Sequence, residues 1–353
     1  MNDPIRHPNR LAGIDVARYI ALAGMVFVNF HLAMHAQPAR QDWLDTLFKV
    51  LEGKASATFV VLAGISLALA TRSMDSAKAR VSIAPRALFL FVAGCGNLCI
   101  FPADILHYYG VYFLLALPLM HARSLILVVL IFVVTVISLW AQLTFDYSTA
   151  WNWTTLEYED LWTWSGFLRN LLFNGFHPVL PWFAFLIFGL LLARLQLEKN
   201  HVQVFLAISG LIIMAGTSRV APYFESYSFR WLFTTTPMPP GPLYFLMGVG
   251  TASFLIGGCL WLAARMSCLG WMAKAGKMTL TLYIAHILIG MSILEYFGLL
   301  DGSAGLITTV WSASIFLIAA TFFTVAWATV REHGPIELLM RKLTARSSKG
   351  SVA

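Results

Sequence analysis

Apolar residues in this chain come in long runs, and most of the charge collects in the short stretches between them. Ten runs stand out, at 14–35, 56–71, 84–101, 104–120, 123–143, 178–194, 202–218, 242–264, 278–299 and 304–330. A membrane-spanning helix needs about 20 apolar residues, or roughly 17 at the short end. The pattern predicts an all-α polytopic transmembrane bundle of about ten helices, forming a single integral-membrane domain with a basic tail over 335–353. The charged head at 6–10 precedes an apolar stretch too long for a cleaved signal and without a small-residue cleavage site. That stretch is therefore read as the first transmembrane helix.

Charge orients this pattern. With the N-terminus inside, the inner segments carry 18 of the 24 Lys and Arg residues, and the outer side carries 11 of the 17 Asp and Glu residues. Cytoplasmic loops are enriched in Lys and Arg, so both termini are expected in the cytoplasm, across a bacterial-type inner membrane. Composition agrees: 59% of the chain is hydrophobic and only 12% charged, against about 25% charged in a soluble domain. The net charge of +7 does not point to nucleic acid, because no basic face is interleaved with aromatics. The four cysteines fall in or beside apolar runs and are expected to be small buried hydrophobes rather than metal ligands.

Two outer connections are substantial. The first, 145–177, carries Tyr147, Trp151, Trp153, Tyr158, Trp162 and Trp164, with Glu157, Glu159 and Asp160. It suits either an interfacial helix on the outer leaflet or a lid whose aromatic faces stack on sugar rings. The second, 219–241, ends in a proline-rich stretch that predicts a stiff connector.

Ionisable groups inside spans are costly and tend to face the bundle interior or a wet cavity. In the first helix Asp15 and Arg18 are spaced for an i, i+3 pair. Arg18 and Asn29, eleven residues apart, fall on nearly one face about 16 Å apart along the axis. His31 and His35 sit one turn apart at the outer end; two histidines alone are a poor zinc site, and no metal is expected. Asp104 and His107 are either a helix cap or a carboxylate orienting a base. His177 lies beside two prolines at a helix start, where free N–H groups can face an anion. Thr279, Tyr283, His286 and Gly290 share a polar stripe, and His286 lies well inside its span.

Four of these stretches together carry a resemblance. Gly13-Ile14-Asp15 with Arg18 and Asn29, Phe176-His177-Pro178 with Pro181-Trp182, Gly276-Lys277-Met278 with Tyr283 and His286, and Gly334-Pro335-Ile336-Glu337-Leu338 resemble the YeiB-like bacterial membrane proteins. Those are related to the heparan-α-glucosaminide N-acetyltransferases of the transmembrane acyltransferase superfamily. The resemblance runs from about Arg10 to Thr344. It implies transfer of an acyl group, usually acetyl, from cytoplasmic acyl-CoA to a hydroxyl or amine on the far side. Acyl-CoA is then a co-substrate, and no resident cofactor is expected.

Where many members of the wider superfamily place a histidine on the first helix, this chain has Asn29. That leaves His31, His35 and His286 as candidate catalytic histidines. Asp15, Arg18, Asn29, His107, His177 and Tyr283 are candidate substrate-binding groups. Expected partners are the acyl-CoA donor, an extracytoplasmic acceptor and membrane lipids, with a homodimer left open. The alternative is a transporter or flippase lined by the same groups, although no internal symmetry of interrupted helices is visible.

Overall fold

The computed structural model describes residues 11–36, 43–227 and 229–349, with side chains to residue 345. Arg6, Arg10 and Arg40, and the tail after residue 349, lie outside the described residues.

Each of the ten predicted segments coincides with helix. They are α1 (Ala12–Ala33), α3 (Lys54–Thr71), α4 (Ser76–Leu98), α5 (Leu106–Ala116), α6 (Ser124–Thr144), α8 (Val179–Leu192), α9 (Asn200–Val220), α10 (Pro242–Ala263), α12 (Thr279–Ala285) with its continuation, and α14 (Leu306–Trp327). Short helices fill the joins: α2 (Trp43–Leu51), α7 (Trp164–Arg169), α11 (Gly270–Gly276), α13 (Ser292–Tyr296) and the C-terminal α15 (Pro335–Lys349). The described strands are a two-residue hairpin, β1 (Trp151–Asn152) with β2 (Glu157–Tyr158). The chain is a multi-pass membrane protein; among the described residues, 8 helices are long and apolar enough to cross a bilayer, or 9 with one bent pair counted as a span.

The differences from the sequence pattern have local causes. The run at 178–194 is only the second limb of a broken element, Trp164–Asn174 followed by Val179–Leu192 with a 49° bend. Gly175 and Pro178 interrupt the backbone ladder there, since proline supplies no N–H. The run at 104–120 yields a helix of only 14 residues, Leu106–Leu119, because the backbone before it is held in a turn by Asp104. The run at 56–71 is preceded by α2, which the apolar scan passed over because it is amphipathic. Gly53, at φ 70°, makes the join to α3. The predicted interfacial helix at 145–177 is instead the hairpin, α7 and one turn of π-helix. Of the cysteines only Cys259 is fully buried; Cys99 and Cys268 are exposed.

Burial sorts the helices. About three-fifths of the α10 and α2–α3 windows is buried inside the protein, but only 17% of the α6 and α9 windows. α6 and α9 therefore present Phe132, Trp140, Phe205 and Ile212 outward, as lipid-facing helices do. The centre is α1, α3, α8 and α10. α3 and α8 cross at Gly64 and Gly189, where a Cβ on either residue would strike backbone atoms of the other helix. Close backbone approach at small residues is how membrane helices gain packing without a hydrophobic drive between them.

Candidate functional site

Cations gather at one end of the bundle. Arg18 lies in the second turn of α1, and its guanidinium makes a close ion pair with Asp15, whose side chain is 3% exposed. Its other amino group donates to Ser66 Oγ on α3 at 2.6 Å. Arg18 thus bridges two core helices and presents its charge where they separate. A cavity of about 300 Å³ opens there, with Arg18, Arg86, Lys277 and Glu337 among its lining. Deeper, its walls are Phe59, Leu106, Tyr109, Phe113 and Tyr283.

Asp104 holds the deep wall in place. The backbone N–H of Leu106 and the N–H of His107 donate to Asp104 Oδ2 at 2.8 and 3.3 Å, capping α5. Asn97 Nδ2 and the Tyr283 hydroxyl donate to Oδ1 at 3.1 and 3.3 Å. The Tyr283 oxygen in turn accepts the Ile105 N–H at 3.1 Å. Tyr283 is consequently fixed where its ring faces the cavity.

Two further openings adjoin this one. One, of about 590 Å³, is bordered by Asp15, Arg18, Arg72, Glu198 and Arg341. The other, about 690 Å³, is bordered by Lys78, Arg86 and Arg341. Shared arginines join the three into one basic vestibule.

The interior histidines are placed differently. His107 is fully buried and donates through Nδ1 to Asp104 Oδ2 at 3.2 Å, so both readings of that pair hold: Asp104 is cap and orienter together. His107 Nε2, His177 Nδ1 and Trp182 Nε1 are buried without a hydrogen-bond partner among the described residues. The Tyr108 ring lies 3.9 Å from His107 and 5.9 Å from His177, centroid to centroid.

Asn29 and His286 meet each other, 3.0 Å apart through Nδ2 and Nε2. His286 Nδ1 donates to the Tyr283 carbonyl, which leaves Nε2 as the acceptor for the Asn29 amide. Phe30, Tyr283 and Phe316 enclose the ring. The pair does not line the basic cavity. The common face expected for Arg18 and Asn29 is split between α3 and the α12 continuation. Tyr283 and His286 stay in contact, their rings 4.8 Å apart, but of the two only Tyr283 lines the basic cavity; from His286 onward the helix is π-helical, residues 286–291.

The opposite end carries a second pocket, of about 370 Å³. His31 and His35 line it from α1, Asp45 and Lys49 from α2, Glu52 from the α2–α3 join, and Trp153 from the hairpin. His31 stacks on Phe48 at 4.6 Å, and its buried Nδ1 has no partner among the described residues. Trp153 stacks on Trp151 at 5.1 Å.

The hairpin is held by Asn174, which is fully buried. Its Nδ2 donates to the Tyr147 and Thr149 carbonyls at 3.0 Å each, and its Oδ1 accepts the Tyr158 hydroxyl at 2.7 Å. The loop contributes Trp153, Thr154 and Leu156 to the wall of this pocket. Among the described residues no group of three His, Cys, Asp or Glu is arranged to hold a metal.

Arg86, Lys277, Glu337 and Arg341 entered the sequence reading only as charges or as part of a motif. The signal for their joint role is that all lie at the ends of runs assigned to one side. Asp45 and Lys49 carried only an i, i+4 pairing. Asn174 carried no signal, because its partners come from turns.

The family model described as "Heparan-alpha-glucosaminide N-acetyltransferase, catalytic" matches residues 10–224. A second, described as "Protein of unknown function (DUF418)", matches residues 189–347. The first takes in Arg18, His31, His35, Asp104 and the hairpin; the second takes in Lys277, Tyr283, His286 and α15. No curated protein and no solved structure matches the chain.

Proposed function

The chain belongs to the heparan-alpha-glucosaminide N-acetyltransferase catalytic family, as a YeiB-like member, and from that premise we propose that it transfers an acyl group from acyl-CoA, entering at the basic vestibule, to a hydroxyl or amine held in the opposite pocket. Acetyltransferase-type chemistry is the class the family supports.

One observation carries it: a cation-rimmed cavity with an apolar, phenol-bearing deep end lies at the opposite end of the bundle from a pocket of histidines, carboxylates and a tryptophan. A nucleotide thioester is polyanionic at one end and uncharged at the other. Arg18, Arg86 and Lys277 suit its phosphates, and the wall of Phe59, Tyr109 and Phe113 suits the pantetheine arm. The basic end is then cytoplasmic, in keeping with the charge asymmetry, and the membrane is the bacterial inner membrane.

In the transfer, the acceptor oxygen or nitrogen attacks the thioester carbonyl carbon, the C–S bond breaks, and CoA leaves as the thiol. A base must take the acceptor's proton. His31 and His35 line the acceptor pocket and can do so at neutral pH. His286 is committed through both ring nitrogens and is assigned a positioning role with Asn29. Asp104 positions Tyr283. From Arg18 to His31 is about 20 Å along α1, so the donor arm must reach inward and the two cavities must open to each other during turnover.

The test is purified protein given radiolabelled acetyl-CoA. Self-labelling or CoA release is expected, lost when His31 and His35 are both changed to Ala and retained in the exposed control Lys199→Gln. A protein that transports a labelled solute with no CoA release from any acyl-CoA would instead support the transporter reading, which the same pair of cavities could serve.

A further inference from the structure

We propose that the cleft between α4 and α15 is a binding site for a phosphate group. α15 is anchored where it begins. The Glu337 carboxylate accepts the N–H groups of Leu280 and Thr281 at 2.8 and 3.2 Å and the Thr281 hydroxyl at 2.5 Å. The Ile336 N–H donates to Thr281 Oγ1 at 3.0 Å. Glu337 thereby satisfies the free N–H groups of the first turn of α12 with a carboxylate, the sign that a helix start favours. Gly334 lets the chain approach this closely, because a Cβ there would strike Thr281 and Glu337.

With its start fixed, α15 lies along α4 and leaves the opening of about 690 Å³. Lys78, Arg86 and Arg341 enter it above an apolar floor that includes Met74 and Val81. Among the described residues no carboxylate lines it; Asp75 pairs with Lys78 at 3.0 Å. Arg86 and Arg341 repel one another, and the buried Arg86 Nε–H has no acceptor among the described residues. Two facing guanidiniums, one with an unmet buried donor, lack a tetrahedral anion able to accept from both.

Two sources carry that chemistry. One is the headgroup of an anionic phospholipid, since basic pockets between membrane helices on the cytoplasmic side hold such groups. The other is the nucleotide phosphate of the donor, which rests on the function proposed above; Arg86 lines both this cleft and the inner cavity.

The experiment titrates the purified full chain, in a non-ionic detergent, with water-soluble short-chain phosphatidylglycerol and separately with adenosine 3′,5′-bisphosphate. Short-chain phosphatidylcholine is the zwitterionic reference. Saturable binding of at least one phosphate probe is expected, weakened about tenfold in Arg341→Gln and in Lys78→Gln and unchanged in Lys342→Gln, which adjoins Arg341 but does not line the cleft.

Lipid binding names the headgroup as the source, and bisphosphate binding names the donor. The inference is overturned if neither probe binds above the reference, or if Lys342→Gln weakens binding as much as Arg341→Gln does. Lys78 is exposed and its variant is expected to fold, so the test survives a misfolded Arg341→Gln. Because the readout is binding, a chain that transfers nothing yet binds a phosphate probe with this residue pattern keeps the inference and loses the function.

Discussion

The two ends of this bundle build their openings by opposite means. At the basic end, charged side chains from α1, α4, α15 and the residue after α11 converge on the openings. Arg18, Arg86, Lys277 and Arg341 border the vestibule, with Asp15 and Glu337 engaged in structural bonds. At the other end the pocket wall is a folded loop held by neutral hydrogen bonds to one asparagine and by stacked aromatics. The difference assigns them different work. Clustered cations favour a polyanion and hold it through long-range attraction. An aromatic pocket carrying histidines and carboxylates selects by shape and short-range bonds.

The sharpest way to break that comparison is at the chemistry. Changing His31 and His35 together to Ala is expected to lower acetyl transfer by about 10² to 10⁴-fold while acetyl-CoA affinity stays unchanged. Equal loss of donor affinity would put the histidines at the wrong end.

Asn174→Ala comes next. It removes three side-chain hydrogen bonds, two of them fully buried, and strands their partners at about 1–3 kcal/mol apiece. Protease cleavage within 145–163 should rise steeply, with the basic vestibule still binding donor.

Arg18→Gln is expected to weaken acetyl-CoA binding by roughly 10- to 100-fold. Arg18→Lys should not restore it, since one ammonium cannot hold Asp15 and Ser66 and also face the cavity. A normal affinity in Arg18→Gln would remove the cation from the donor site.

The smallest effect concerns Glu337. Burial pushes its carboxyl pKa up. The docked state therefore binds the proton more tightly than the undocked one. Docking of α15 is strongest below the ordinary Glu pKa and weakens as pH rises through the raised value. Hydrogen exchange in α15 should quicken with rising pH, and Glu337→Gln should flatten that dependence.

Much of the fold was legible in the sequence because lipid imposes one rule everywhere: each span must be apolar and satisfy its own backbone. Ten runs became ten helical segments for that reason. The pattern failed where side chains or proline override the rule. Asp104 holds the chain in a turn before α5, Gly175 and Pro178 break the helix before α8, and α12 passes into a π-helical stretch at residues 286–291. Arg18 was legible as a charge that had to face something other than lipid. Its partner Ser66 was not, because an interhelical hydrogen bond leaves no periodic trace.

By itself the sequence determined the helical, membrane-spanning architecture, the clustering of cations toward one side and the short list of titratable groups inside the spans. It did so because hydropathy and charge act residue by residue against a fixed solvent. Only the tertiary structure decided which of those groups share a space. It paired Asn29 with His286 outside the basic cavity, gathered His31, His35 and Asp45 under the hairpin, and brought Arg341 from the C-terminal helix into the same cleft as Arg86. Those meetings depend on crossing angles, a broken helix and a C-terminal anchor, each set by packing between segments far apart in sequence.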